Sequence, residues 1–423
     1  TLNEKKVLEQ WIREGAVWAD HWAYVDPVKN PLPNVENKSW AKHWIDHFSL
    51  SHYEREKSNP APDADPVTLI RRLHFDLTGL PPKSETVEKF VQNPSPKAYS
   101  ELVNKLLDSR HFGERMAIYW LDLVRYADTV GYHGDQPHNI SPYRDWVINA
   151  FNENMPFDQF TREQLAGDLL PNSTTQQKVA SGYNRLLQTT HEGGLQIKEY
   201  DAIYAADRVR NVSEVWMGAT VGCAQCHDHK YDPYTIKDHY AMAAFFADIG
   251  DRGFDGNSLP TKRPPEIRIF STEQQTELDR LSSEMEKFLP KQKQEQLAKL
   301  EANRKKLSDS LKKAKEPQKA DLQTKLKNNN QQINKLATQE EISSYKAAQK
   351  KRNDLENQGR WTMISKAVKP RTTRVLPRGN WMDESGPIVL PSVPAFLGTI
   401  QSRKERLTRL DLANWLTDSQ NGR

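Results

Sequence analysis

Apolar residues recur at helical spacing along most of the first 250 residues, and no stretch there alternates with the period of two that marks strands. The pattern predicts an opening helix over residues 2–16, ended near Gly15, and an extended Pro- and Asn-rich linker over 25–38. The further predicted helices cover 40–53, 66–77, a segment beginning at Ser84, two stretches within 97–127, 142–151, 157–170, 176–187, 198–217 and 234–247. This body of the chain is predicted to be mainly α-helical.

A different pattern occupies residues 271–357, which are rich in Lys, Glu, Gln and Asn. Apolar residues recur there at heptad-like intervals: Leu297, Leu300, Leu307, Leu311, Leu322, Leu326, Ile333 and Leu336. Proline inside a helix costs about 3 kcal/mol, so Pro317 marks a break. We therefore predict an antiparallel helical hairpin, in the manner of a coiled coil, with its tip near Pro317 and a lesser break at Pro290. A solvated, partly disordered spacer is the alternative.

After residue 358 the pattern changes again. Residues 372–376 and 388–390 are short β-prone runs between Pro and Gly turns, and a helix is predicted over 406–416. The expected fold class is thus mainly α: a multi-helix domain, an inserted or appended helical hairpin, and a short mixed C-terminal segment.

Composition excludes several classes of function. The chain has 60 basic and 56 acidic residues, a formal net charge of +4 that gives no general case for binding nucleic acid or an anionic membrane. No run of about 18 apolar residues exists, so no membrane span is expected. The sequence also lacks the phosphate-binding and serine-hydrolase motifs P-loop, G-x-G-x-x-G and G-x-S-x-G.

Both cysteines of the chain lie in one motif, Cys223-Ala-Gln-Cys226-His227, which is the attachment signature of c-type haem. Two thiols at this spacing can each add to one vinyl group of the porphyrin, and the following imidazole can then bind the iron as proximal ligand. Only 2 Cys and 12 His occur in 423 residues, so chance is a weak explanation. The motif predicts one covalent haem c, with iron held by His227.

Other interpretations of the cysteine pair remain open at this point. A redox-active C-x-x-C pair would need a thioredoxin-like strand-to-helix setting, and nothing upstream resembles a βαβ unit. A zinc site could use Cys223, Cys226 and His229 but would need remote ligands. A disulfide across two intervening residues is sterically awkward.

The ligand opposite His227 decides between an electron carrier and an open haem site. His191, in a Gly-rich loop, and Met217, ten residues before His227, are the candidates, followed by His133 and His138 in another polar loop. Surface or capping roles compete with each of these assignments.

The other polar residues of the motif, Asp228, Lys230 and Asp232, either orient His227 and pair with haem propionates or form a salt-bridge cluster at a helix end. The charged residues Arg125, Asp128, Arg144, Asp145 and Arg208 lie in otherwise apolar helices. They form either buried structural ion pairs or arginine contacts to propionates.

These residues resemble a known family. The segment from about Trp40 to Phe246 is similar to the planctomycete-type cytochrome C domain, the second of two such types. The matching strings are LIRRLHFDLTGLPP (69–82), YWLDLVRYADT (119–129), YRD (143–145), EQLAGDLL (163–170), EGG (192–194), DRV (207–209) and CAQCHDHKYDP (223–233).

The resemblance also implies a division of the chain. Residues 1–24 are similar to the tail of an upstream cytochrome-c-like domain, 25–252 form the haem domain, 253–270 a linker, 271–357 the charged hairpin, and 358–423 the start of a C-terminal companion domain. The chain lacks an initial methionine and a visible signal peptide, so we expect it to be an internal piece of a larger extracytoplasmic protein. The upstream haem domain, the companion domain and an unknown redox partner are its expected partners.

The expected function is electron transfer by a c-type haem module of a larger redox protein. A haem-dependent oxidoreductase or peroxidase-like enzyme is the second hypothesis. A secreted scaffold with a structural or zinc-bound cysteine pair is the third.

Overall fold

The computed structural model describes residues 1–17, 22–25, 27–132, 135–190, 194–250, 263–315, 317–402, 405–419 and 421. Among them the chain is mainly α-helical, which confirms the predicted fold class. The helices are α1 (Leu2–Arg13), α2 (Trp44–Arg55), α3 (Pro66–Thr78), α4 (Ser84–Gln92), α5 (Pro96–Leu107), α6 (Arg110–Leu123), α7 (Ser141–Asn152), α8 (Phe157–Ala166), α9 (Thr175–Ala180), α10 (Ile197–Met217), α11 (Ile236–Ala244), α12 (Thr272–Phe288), α13 (Lys291–Lys313), α14 (Gln318–Leu336), α15 (Gln339–Glu356) and α16 (Arg409–Leu416).

The described residues also form four short strands: β1 (Glu266–Ile269), β2 (Arg360–Met363), β3 (Thr373–Arg374) and β4 (Ile388–Val389). β1 pairs with β2, and β3 pairs antiparallel with β4 so that Thr373 faces Val389 and Arg374 faces Ile388. The two β-prone runs predicted near the C-terminus therefore form one small sheet.

The chain divides into two compact units: Thr1–Pro265 with Met363–Arg423, and Glu266–Thr362. The first unit contains the cysteine motif. The C-terminal residues from 363 onward lie in that same unit, so a division at 358 separates segments that pack together. The predicted linker 253–270 falls largely outside the described residues, as do His133 and His191.

An aromatic cluster forms the centre of the first unit. Trp120 of α6 makes edge contacts with Phe160 of α8 and Trp216 of α10, at ring-centre distances of 4.8 and 5.4 Å. The buried Gln164 side chain accepts hydrogen bonds from Trp120 Nε1 at 2.8 Å and Tyr143 Oη at 2.6 Å. The polar ends of these rings are thereby satisfied inside the core.

Local sequence signals set the ends of the helices. The Asp65 carboxylate accepts hydrogen bonds from the backbone N–H groups of Val67 and Thr68, both at 3.0 Å, and Pro66 occupies the first turn of α3. Gly79 ends α3 in the left-handed conformation, with φ 71°.

A buried charge cluster joins the C-terminal helix to the rest of the first unit. The Arg409 side chain is fully buried and donates to both oxygens of Asp168, at 2.8 and 2.9 Å, and to Asp248 at 2.9 Å. Burial alone would lower the pKa of Arg409, but the two carboxylates raise it above its ordinary value. Arg409 therefore remains charged and links α16 to the segments after α8 and α11.

The second unit is a helical hairpin interrupted in both arms. α13 packs against α14, and α12 packs against α15. Leu297 and Ile333 from the outer pair, and Met285 and Tyr345 from the inner pair, belong to one buried cluster. The Pro290 break lies where it was predicted, whereas the opposite break at Ala337–Thr338 has no proline. Thr338 instead caps α15 through a capping box with Glu341.

We predict that Arg409→Ala lowers the free energy of unfolding of the first unit by about 3–5 kcal/mol, because it leaves two buried carboxylates without a partner. Denaturant unfolding followed by tryptophan fluorescence reports this unit, since Trp361 alone among the tryptophans lies in the hairpin. Arg162→Ala, which removes the partly exposed α8 pair with Asp158, is the control and should have a much smaller effect. Equal losses in the two variants would contradict the structural role given to Arg409.

Candidate functional site

The cysteine motif lies on a tight surface turn between two helices. α10 ends at Gly218, whose left-handed conformation (φ 56°) redirects the chain into a 3₁₀ turn, Val221–Gln225. Val221 and Ala224 are buried beneath this turn. Since Val221 and Ala224 occupy the inner side of the turn, Cys223 and Cys226 lie on its outer side.

Both cysteines are free thiols with exposed side chains. No sulfur–sulfur bond joins them, so the disulfide interpretation has no counterpart in this structure. Two accessible thiols at C-x-x-C spacing are the chemical requirement for attachment to two vinyl groups.

His227 is also exposed, and one hydrogen bond orients its ring. Its Nδ1 lies 2.7 Å from the carbonyl oxygen of Asp228, which can only accept, so the proton is on Nδ1. The other nitrogen, Nε2, then carries the lone pair. This is the tautomer that a metal-binding imidazole needs, fixed by a backbone carbonyl.

His229 has a structural role in the turn. Its Nδ1 accepts hydrogen bonds from the backbone N–H groups of Asp232 at 2.8 Å and Tyr231 at 3.2 Å. Its Nε2 lies 3.0 Å from Thr220 Oγ1. Both ring nitrogens are thus used to close the loop, which weighs against His229 as a zinc ligand beside the cysteines.

Asp228 and Lys230 contact groups other than the His227 ring. Asp228 Oδ1 accepts a hydrogen bond from the backbone N–H of Ile236 at 2.8 Å, so it satisfies an N–H group at the start of α11. Lys230 Nζ lies 5.0 Å from the ring centre of Tyr231. The orienting contact to His227 comes from the Asp228 backbone, which residue types alone did not indicate.

The C-terminal segment packs against the motif. A Cβ atom added at Gly379, which has φ 71°, would lie 2.9 Å from Cys226 Sγ. The Tyr240 hydroxyl lies 3.0 Å from the carbonyl oxygen of Gln225 and 3.3 Å from that of Leu376. Burial, followed by the neighbouring Cys226, raises the pKa of Tyr240 to about 12. Tyr240 therefore stays protonated and links the motif to the segment before Gly379.

A cavity of about 420 Å³ lies beside the motif, between α10, α11 and residues 371–384. Gln225, from the centre of C-x-x-C, is part of its wall. Its charged residues are Lys198, Asp201, Arg371, Arg374 and Glu384, and its aromatic and imidazole rings are Tyr240, Phe246, Trp381 and His239. The volume is in the range of sites for small molecules. We call this space the motif cavity.

His239 is a buried histidine in the wall of the motif cavity, with 1% of its surface exposed. Its Nδ1 lies 3.2 Å from the carbonyl oxygen of Val221 and therefore carries the proton. Burial, opposed by that hydrogen bond, lowers the pKa of His239 to about 4. The ring is neutral at physiological pH.

The candidates for a ligand opposite His227 are placed unequally. Met217 ends α10 with 4% of its surface exposed, in the core beneath the turn. His138 Nε2 lies 2.7 Å from the carbonyl oxygen of Ala127, which commits this nitrogen to structure. His191 and His133 lie outside the described residues, so the opposite ligand stays a prediction.

The charged residues noted in the helices have different environments. Arg125, in the left-handed conformation (φ 60°), forms an ion pair with Asp207 of α10. Arg208 is buried and donates twice to the carbonyl of Asn184, at 3.1 and 3.0 Å. Arg144 is exposed, and Asp128 accepts a hydrogen bond from the Tyr126 hydroxyl at 2.7 Å. For Arg125 and Arg208 these contacts favour structural roles.

The described residues hold neither a cluster of metal ligands nor a membrane-spanning helix. They contain no group of three or more His, Cys, Asp and Glu side chains placed to hold a metal ion. None of the helices described is both long and apolar enough to cross a bilayer.

Comparison with known families gives a match to just under half of the chain. Residues 44–251 match the model of a family described as PSCyt2, protein of unknown function (DUF1549). The matched segment begins at the first residue of α2 and includes the cysteine motif and α11. No curated protein and no solved structure matches the chain. The family match supports the resemblance for this segment, and its description leaves the function open.

We predict that Gly379→Ala lowers the free energy of unfolding by more than the 1–2 kcal/mol of left-handed strain, because the new methyl group also meets Cys226 Sγ. Gly218→Ala is the control, since Gly218 has a similar φ and open space around it. Reaction of the free thiols with a disulfide reagent should be faster in Gly379→Ala only. Equal stability losses and equal thiol reactivity in both variants would show that Gly379 does not pack on Cys226.

We predict that stability falls as pH drops from 7.5 to 5, through the His239 side chain. As the pH falls, the histidine of the unfolded chain, with a pKa near 6.5, binds a proton before that of the folded chain, with a pKa of about 4. The stability that neutral His239 contributes is therefore complete above pH 6.5 and is lost as the pH falls toward 4. Through this group, the free energy of unfolding should be about 2 kcal/mol lower at pH 5 than at pH 7.5. Denaturant unfolding of His239→Asn, which retains a donor toward Val221, should show a correspondingly weaker pH dependence. If the pH dependence of stability were the same in His239→Asn and the unmodified chain, His239 would be excluded as its source.

Proposed function

We propose that the chain is an extracytoplasmic c-type haem protein in which Cys223 and Cys226 carry one covalent haem and His227 is the proximal ligand. In this proposal it is an electron-transfer module of a larger redox protein. The observation that carries the proposal is the combination of two exposed free thiols with a histidine whose tautomer leaves Nε2 available.

The residues of the motif fit this group chemically. Thiols supply the two thioether links, and imidazole nitrogen is an ordinary axial ligand of haem iron. Bound haem would supply one-electron exchange between ferric and ferrous iron. The chain contributes orientation: the Asp228 carbonyl sets the His227 ring, while His229 and the Asp228 carboxylate hold the turn between α10 and α11.

The family resemblance supports the wider arrangement. An upstream cytochrome-c-like domain, to which residues 1–24 are similar, would place a second haem in the same protein. Residues from 358 onward are similar to the start of the companion domain. In this segment Gly379 lies against Cys226, and the Leu376 carbonyl accepts a hydrogen bond from Tyr240 of α11. Export to an extracytoplasmic compartment follows from the proposal, because covalent haem attachment takes place there.

A haem-dependent oxidoreductase is the second candidate, and the motif cavity favours it. A pure electron carrier has no need of a cavity of about 420 Å³ whose wall includes Gln225 and several charged side chains. The third candidate, a scaffold with zinc-bound cysteines, has less support because both nitrogens of His229 are occupied.

Haem content tests the proposal directly. The chain, exported from cells that contain c-haem maturation machinery, should give a pyridine haemochrome spectrum of covalently attached haem. Cys223→Ala and Cys226→Ala should each show the spectrum of a single thioether, and the double variant should retain no covalent haem. Lys237→Ala, an exposed change on the neighbouring α11, is the matched control and should keep full haem content. Absence of covalent haem from the unmodified chain would refute this function.

Carbon monoxide binding separates the two haem hypotheses. An electron carrier with a second axial side chain should show little change in its ferrous spectrum on adding carbon monoxide. Ready binding would mean an open position on the iron and would favour the oxidoreductase.

A further inference from the structure

We propose that the motif cavity binds a hydroxylated organic carboxylate. The proposal goes beyond the haem function and does not depend on it, since every residue that carries it lines the cavity rather than the cysteine pair.

Part of the cavity wall is apolar. α10 contributes Ala202, Ala205 and Ala206, α11 contributes Ala243, and Ala247 follows shortly after α11. Methyl side chains on two helices leave room for the body of a ligand. Trp381, from the C-terminal segment, also lines the cavity. A flat ring or the C–H face of a sugar can bind to an indole ring.

Among the described residues, the guanidinium group of Arg374 uses only part of its hydrogen-bonding capacity. Its Nη1 donates to the carbonyl oxygen of Gly386 at 3.2 Å. Its Nε and Nη2 find no acceptor among the described residues. A guanidinium edge with such N–H groups recognises a carboxylate through two parallel hydrogen bonds.

The charge of the lining also favours an anion. Lys198 pairs with Glu384 at 2.7 Å at the exposed rim. Arg371 donates to the carbonyl oxygen of Ile249 at 3.0 Å and lies 4.0 Å from Asp201. Three cationic and two anionic side chains leave one positive charge, and Arg374 is the cation without a carboxylate within 4 Å among the described residues.

His239 supplies the second recognition point. It is 1% exposed, and its Nδ1 is committed to the Val221 carbonyl. Within the described part of the chain, no donor reaches its Nε2. The ring lines the cavity, so a ligand hydroxyl that displaces water there can donate to the Nε2 lone pair. The cavity thus combines a carboxylate site at Arg374 with a hydroxyl site at His239.

Calorimetric titration of the full chain as purified tests the proposal, with D-glucuronate and 4-hydroxybenzoate as probes. These two acids share the carboxylate and hydroxyl groups and distinguish a sugar body from an aromatic one. Glucose, which lacks the carboxylate, and benzoate, which lacks the hydroxyl, are the matched ligand controls. We expect at least one of the two acids to bind more tightly than both its matched control and inorganic phosphate.

Two variants locate the binding site. Arg374→Gln should weaken binding of the preferred acid about tenfold or more, as expected for loss of a charge-assisted pair of hydrogen bonds. His239→Asn retains the donor to Val221 and should weaken the hydroxylated acid while leaving benzoate unaffected. Lys237→Gln, on the exposed face of α11, should bind like the unmodified chain, and circular dichroism should show that all variants are folded.

Several results would overturn the proposal. These are no binding of either acid at millimolar concentration, equal binding of the hydroxylated acids and their controls, or unchanged binding in folded Arg374→Gln. A loss of covalent haem in Arg374→Gln, without binding of either acid to the unmodified chain, would show that the cavity serves the haem instead.

Discussion

The buried side chain of Arg409 is the constraint on which the first unit depends. A guanidinium removed from water must be matched by acceptors, and Asp168, Asp248 and the carbonyl of Leu165 provide them from segments far apart in sequence. The cluster fixes the C-terminal helix α16 against the segments after α8 and α11. The segment between α15 and α16 is therefore anchored at its C-terminal end by α16. This segment contains Gly379, which lies against Cys226, and Arg374 and Trp381, which line the motif cavity.

The motif itself is held by backbone contacts on both sides. Val221 and Ala224 are buried below the turn, His229 closes the loop through two N–H groups, and Asp228 satisfies the start of α11. Among the described residues, no hydrogen bond or ion pair uses the two thiols or the Nε2 of His227. The electron-transfer and oxidoreductase hypotheses both need these three groups to be available.

The motif cavity joins residues of two kinds. Gln225 and Tyr240 belong to the motif and to α11, within the segment that matches the family, whereas Arg374 and Trp381 come from outside that segment. Any chemistry in the cavity therefore needs the C-terminal residues as well as the matched domain. A compact unit does end near the predicted boundary at 358, at Thr362, and the residues from Met363 onward belong to the same unit as the matched segment.

Sequence patterns alone determined the helical class, the hairpin of residues 271–357 with its break at Pro290, and the group of residues that could hold a haem, because helical periodicity, proline and C-x-x-C-H spacing are local properties. The second hairpin break at Thr338 was missed, since a capping box without proline is a weak local signal. Tertiary structure alone decided that His229 is structural and that the Asp228 carbonyl orients His227. It alone placed Gly379 against Cys226, and His239, Tyr240 and Arg374 in the wall of the motif cavity. These roles come from contacts between segments up to about 150 residues apart, such as Gln225 and Leu376 around Tyr240, and depend on how the helices pack.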